Sequence, residues 1–276
     1  MSNSVNTNTG AQVALQNLNA TNAALSITQN RINTGKNVAS AKDNGAIWAI
    51  AQGQRADIGA LGAVKQSIDR GIAALDVALA AGETVSDLLL QLKEKALSAT
   101  DSSLKTSARA ALNEDFKSLR DQIATVTSNA DFNGVNLLKT GATGFAALAN
   151  VTGTSSLTVG AEVLALGGAN VTITTTQSID TLSKATASLT AVTTSIDRVS
   201  ASLARLGTKS NALSTHLTFV GKLSDALEAG VGNLVDADLA KESAKLQALQ
   251  TKQQLGVQAL GIANQTPQLV LSLFRG

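Results

Sequence analysis

The chain has 276 residues, 44% of them hydrophobic, and a formal net charge of +2 from 22 basic and 20 acidic side chains. Aromatics make up only 2%, Tyr and Cys are absent, and there is one Pro. This excludes disulfides, thiolate metal sites, cysteine nucleophiles and a basic, aromatic-rich nucleic-acid surface, and it favours close-packed helices rich in Ala and Leu.

The first ten residues are polar and lack the basic-then-apolar pattern of a cleaved secretory signal, so none is expected. No apolar run approaches the roughly 18 residues of a membrane span, so no membrane insertion is expected. From Ala11 a heptad begins: Ala11, Leu18, Leu25 and Ile32 are seven apart, with Leu15, Asn22 and Gln29 as companions. That half-polar seam predicts a helix needing a partner. Arg31 to Ala46, with Gly35 and Gly45, reads as a non-helical connection.

A long helical block is predicted from Ile47 to Ala99. Leu61, Ile68, Leu75, Gly82, Leu89 and Ala96 keep a seven-residue step, with Ile58, Ile72 and Leu79 alongside. Unbroken, it would extend about 80 Å, a rod rather than a globule. Thr100 to Ser103 end it. A shorter helix carries Ala108, Leu112, Phe116, Leu119, Ile123 and Val126, and Asn133-Gly134 marks a tight turn after it.

Residues 139–178 change character to Gly, Thr, Ser and Val, and Val171 to Thr174 alternates with period two, so a small β-hairpin region is expected. Heptads resume from Ile179 to Leu227. Ala185, Val192, Val199, Leu206, Leu213, Val220 and Leu227 form one line; Leu182, Leu189, Ile196, Leu203 and Leu217 supply the second. Gly230 and Gly232 are expected to interrupt that helix, with Asp236 capping the next. In the last stretch Leu239, Leu246, Gln253 and Leu260 run seven apart, beside Leu249, Gly256 and Ala263. The apolar run Leu269 to Phe274, including Leu271 and Leu273, follows. The layout predicts a mainly α protein: a long antiparallel helical coiled-coil bundle with a small β-hairpin insert and two terminal helices that pair with each other.

Chemistry is hard to find. His216 is the single His and reads as a plain helix residue, and Trp48 as a packing residue. Asp236 and Asp238, two apart, fall on different helix faces. Gly221-Lys222 lacks the rest of a phosphate loop. No catalytic residue, cofactor or metal site is expected, and no enzyme.

The ends carry a specific resemblance. Asn6-Thr7-Asn8, the spacing of Leu15, Leu18 and Leu25, and the stretch Arg31 to Ala46 resemble the start of bacterial flagellins. Phe132 to Leu138 is similar to their FNG-x-x-LL turn, and Asp236 to Ser243 with Ala263 to Arg275 resembles their C-terminus. The chain is identified as similar to the short alphaproteobacterial kind without large outer domains. The resemblance implies a structural subunit that polymerises, alone or mixed with other flagellins, into an extracellular filament used as a propeller. The implied partners are further copies of itself, the filament cap, hook-associated junction proteins, an export chaperone and the flagellar type III export apparatus. Residues 1–44 and 233–276 would form the inner tube, with self-assembly residues Ala11, Leu15, Leu18, Leu25, Ile32, Leu239, Leu246, Leu249, Leu260, Ala263, Leu271 and Leu273. Residues 45–138, 139–178 and 179–232 would form the rod domain, with a seam of Leu61, Ile68, Leu75, Leu89, Val192, Val199, Leu206, Leu213 and Val220. Gln91 to Ala96 departs from many flagellins, which carry arginines there that an animal innate immune receptor reads. A hook–filament junction protein is the first alternative, and a cytosolic coiled-coil adaptor the second.

Overall fold

The structure is a computed structural model that describes residues 7–273, with side chains described to residue 265. Five helices and one hairpin follow in order: α1 Thr9–Thr34, α2 Gly45–Ala99, α3 Thr106–Asn129, β1 Phe145–Leu148, β2 Ser156–Val159, α4 Leu182–Val235 and α5 Leu239–Leu273. They divide into two compact units, residues 57–225 in one and residues 1–56 with 226–276 in the other.

In the central unit, α2 buries Leu61, Val64, Ile68, Gly71, Leu75, Ala78, Gly82, Val85, Leu89, Leu92, Ala96 and Ala99. The steps alternate three and four, the spacing of a coiled-coil core. Ile58, Ile72 and Leu79 are only half-buried, so the companion line falls three residues after each heptad residue, not four. On α4, Val192, Val199, Leu206, Leu213 and Val220 are likewise buried. A Cβ on Gly71 would meet Leu213 and one on Gly82 would meet Leu203, so α2 and α4 run antiparallel here.

The second line of α4 departs from expectation. Leu182 is exposed and Leu189, Ile196, Leu203 and Leu217 are half-buried, whereas Ser188, Ser195 and Ser202 are fully buried. These serines hold the irregular insert. Ser188 Oγ accepts from Gln177 Nε2 at 3.0 Å and donates to the Ser178 carbonyl at 3.1 Å. Ser195 Oγ accepts from the Thr172 backbone N–H at 3.0 Å. Val171 to Thr174 is therefore not a strand: Val171 and Ile173 are buried in alternation, but the only bridge is Leu166 with Val171. The Thr172 N–H goes to the Ser195 hydroxyl of α4, while the Ile173 and Thr174 carbonyls accept from the Gly167 and Gln177 N–H groups in turns, not from a ladder.

A two-stranded sheet pairs β1 with β2 antiparallel, Phe145 opposite Val159. It sits on the helices through the Leu148 N–H, which donates to Ser67 Oγ at 3.1 Å, and through His216 Nε2, 2.9 Å from the Ala149 carbonyl. α3 buries Phe116 and Ile123 with Asn113, Arg120 and Thr127; Leu112, Leu119 and Val126 are half-buried and Ala108 is exposed. Asn113 Oδ1 accepts from the Ile179 N–H, and Arg120 donates to the Gln177 carbonyl, so polar side chains on α3 also secure the insert. At the turn, Asn133 and Gly134 both take positive φ (52° and 82°), which the Asn-Gly pair allows.

In the other unit, α4 continues through Gly230 and Gly232 to Val235. A helical glycine costs about 1 kcal/mol, too little to end a packed helix. Asp238, not Asp236, caps α5: its carboxylate accepts from the Ala240 and Lys241 N–H groups. The α1–α2 and α4–α5 connections meet in a bridge between Lys36 and Asp236, and the Val235 carbonyl accepts from the Asn37 and Val38 N–H groups.

Candidate self-assembly surface

The two terminal helices make one antiparallel seam. Inward positions on α1 are Ala11, Ala14, Leu18, Thr21, Leu25, Thr28 and Ile32; on α5 they are Glu242, Leu246, Leu249, Gln253, Gly256, Leu260 and Ala263. Steps of three and four alternate on both. The pairing is read off at both ends and in the middle. Asn8 Nδ2 donates to the Ala263 carbonyl at 2.7 Å, Gln253 Nε2 to Asn22 Oδ1 at 2.7 Å, and Arg31 Nη1 to Glu242 Oε1 at 3.1 Å. Asn8 also caps α1, accepting from the Ala11 N–H.

This places the sequence-derived residues as follows. Ala11, Leu18, Leu25, Ile32, Leu246, Leu249, Leu260 and Ala263 are half-buried in the seam. Leu15 and Leu239 lie outside it, 48% and 49% exposed. At about 100° per residue, the heptad companions on α1 fall one position earlier, at Ala14, Thr21 and Thr28, so Leu15 and Gln29 turn outward and Asn22 lies at the seam's edge, where it meets Gln253. Leu239 stands one position after the Asp238 cap. Leu271 and Leu273 belong to α5 by backbone, but their side chains fall outside the described residues. Leu61, Ile68, Leu75, Leu89, Val192, Val199, Leu206, Leu213 and Val220 lie in the core of the central unit, at most 2% exposed.

Two features go beyond apolar spacing. The buried positions of α1 are threonines, Thr21 and Thr28, which an apolar pattern does not register. Glu242 is 8% exposed and faces Arg31; stepping back seven residues from Leu249 reaches it, but nothing in the sequence pairs it with Arg31.

Electrostatics in the described residues serve structure. Hydrogen bonds from the Ser40 backbone and hydroxyl hold the exposed Asp43 carboxyl below its usual range in the α1–α2 connection. Bonds from the Arg205 guanidinium, at 2.7 and 2.6 Å, lower Glu162 likewise and tie the insert to α4. Among the described residues no three His, Cys, Asp or Glu side chains gather as a metal site, and no helix is long and apolar enough to cross a membrane.

Heptad-packed antiparallel helices, with a pair of terminal helices that carry apolar residues on more than one side, define a coiled-coil structural subunit. The family descriptions "Bacterial flagellin N-terminal helical region" and "Bacterial flagellin C-terminal helical region" match residues 5–143 and 189–274. Flagellin FljM of Caulobacter vibrioides is 58% identical over 273 residues, covering 99% of both chains. A flagellin of Brucella melitensis is 37% identical, again over 99% of both. A solved structure of a putative flagellar hook-associated protein from Vibrio parahaemolyticus covers 70% of this chain and all of its own, with a TM-score of 0.59 at 14% identity, a likeness of fold. The chain belongs to the bacterial flagellin family. It is a structural subunit of the extracellular flagellar filament.

Proposed function

We propose that this flagellin polymerises through α1 and α5, whose shared seam leaves a second set of apolar residues for neighbouring subunits. The observation that carries this is exposure: Val13, Leu15 and Ile27 on α1 and Leu255 and Val257 on α5 are 48–59% exposed although both helices are already paired. Apolar residues on the outer side of a paired helix call for another surface to cover them. Identical subunits offer that surface, and a contact that does not close on itself propagates as an open helix. In this reading residues 1–44 and 233–276 line the inner tube and residues 45–232 surround it.

The same reading supplies the remaining partners by family likeness. The subunit leaves the cell without a cleaved signal, unfolded, through the flagellar type III apparatus with an export chaperone. It is added beneath a cap, on hook-associated junction proteins. The thin seam of α1 and α5 supports an assembly-dependent order, since α1 buries only Thr21 and Thr28 in the described structure. Hydrogen exchange on monomer and filament tests it. Fast exchange over both terminal helices in the monomer and slow exchange in the filament are expected; slow exchange at both ends of the monomer would overturn it.

A further inference from the structure

Resting on that reading, we infer that the Arg31–Glu242 pair sets the register of the terminal helices, rejecting pairings that the apolar heptads alone would permit. Leu18, Leu25 and Ile32 repeat every seven residues, as do Leu246 and Leu260 with only Gln253 between them. Sliding α5 by one heptad therefore leaves an apolar line facing an apolar line. In a polymer the choice widens, because each neighbour presents its own α1 and α5.

Three observations make the seam sensitive to a slip. Glu242 is 8% exposed, and its Oε1 is bonded by Arg31. One heptad back from Arg31 on α1 stands Ala24, which has no charge to offer. A slip would leave a buried carboxylate unpaired, which is strongly unfavourable. The same slip moves Gln253 from Asn22 to Leu15. It also places Leu249 against Leu18, where Gly256 now leaves room: a Cβ on Gly256 would come 3.3 Å from Leu18 Cδ1.

The pair is poorly built for stability. Glu242 Oε2 and the buried Thr28 Oγ1 have no hydrogen-bond partner among the described residues. An ion pair whose carboxylate is buried with one oxygen unbonded adds little over an apolar pair of similar size, yet leaving that carboxylate without its arginine is costly. That asymmetry suits a device that selects between registers, as single polar residues do in coiled-coil seams.

Cysteine pairs in the otherwise Cys-free chain read the register in filaments. A Cβ on Gly256 lies 3.9 Å from Leu18 Cβ, within the range a disulfide spans. Leu18→Cys with Gly256→Cys should therefore close an intrachain bridge on oxidation. Leu18→Cys with Leu249→Cys, about 10 Å away along the helix, should not. Adding Glu242→Leu should cut the first bridge several-fold and produce the second, or bridges between subunits. The exchange R31E/E242R should restore the first. An unchanged first bridge in the Glu242→Leu background overturns the inference, as does an exchange variant that fails to restore it. Failure of the chain with native Arg31 and Glu242 to form filaments would instead count against the assembly reading.

Discussion

Leu18 packs against the bare backbone of Gly256, close enough that an added Cβ would stand 3.3 Å from Leu18 Cδ1. The contact is to the end of a flexible side chain, so one methyl can be absorbed, and Ala gains about 1 kcal/mol in helix propensity over Gly. Gly256→Ala should therefore form filaments at least as stable to heat as the native chain. Gly256→Leu should wedge the helices apart and weaken them. Light scattering of filaments on heating measures both.

The central unit has a stricter close approach at Gly82. A Cβ there would lie 2.5 Å from Leu203 Cδ2, whereas a Cβ at Gly59 meets nothing within 4 Å. Gly82→Val should destabilise the unit by about 1–3 kcal/mol through overpacking. Gly59→Ala should stabilise it by about 0.5–1 kcal/mol by restricting the unfolded chain. Denaturant unfolding of the two variants checks opposite signs on one helix.

Acid should loosen the insert. Glu162, bonded by Arg205, has a folded pKa below its ordinary value of 4.5. A lowered folded value means the pair stabilises above the unfolded pKa, and that contribution fades as pH falls through the folded one. The pair is partly solvated, so the effect is about 1 kcal/mol or less. Hydrogen exchange around Glu162 should quicken as pH falls below about 4.5, after correction for intrinsic rates. Glu162→Gln should show the quicker exchange already at neutral pH and lose the pH dependence.

Much of this fold was legible because long heptads report one geometry. Leu61 through Ala96 and Ala185 through Val220 named the buried line of α2 and α4 from spacing alone. The companion lines were not legible, since a residue three or four positions on can serve and size is no guide: the fully buried companions on α4 are serines that secure the insert, while Leu182 is exposed. Val171 to Thr174 looked like a strand because alternation of burial does not reveal where the backbone hydrogen bonds go. Gly230 and Gly232 looked like a break because packing of the helix outweighs their local cost. At the terminal seam, Leu246 and Leu260 were visible, but the Arg31–Glu242 pairing depends on the antiparallel register, which neither helix encodes alone.

In the proposed assembly the α1–α5 seam drives polymerisation while the central unit folds without it. Leu246→Asp and Leu260→Asp place an unpaired carboxylate in that seam, at a cost of several kcal/mol. Purified protein, seeded with short filament fragments and viewed by electron microscopy, tests the claim, with thermal unfolding followed in parallel. The native chain should grow long tubes, and each Asp variant should keep the unfolding transition of residues 57–225 and grow none. Tubes of native length from Leu246→Asp or Leu260→Asp would show that the α1–α5 seam does not drive assembly.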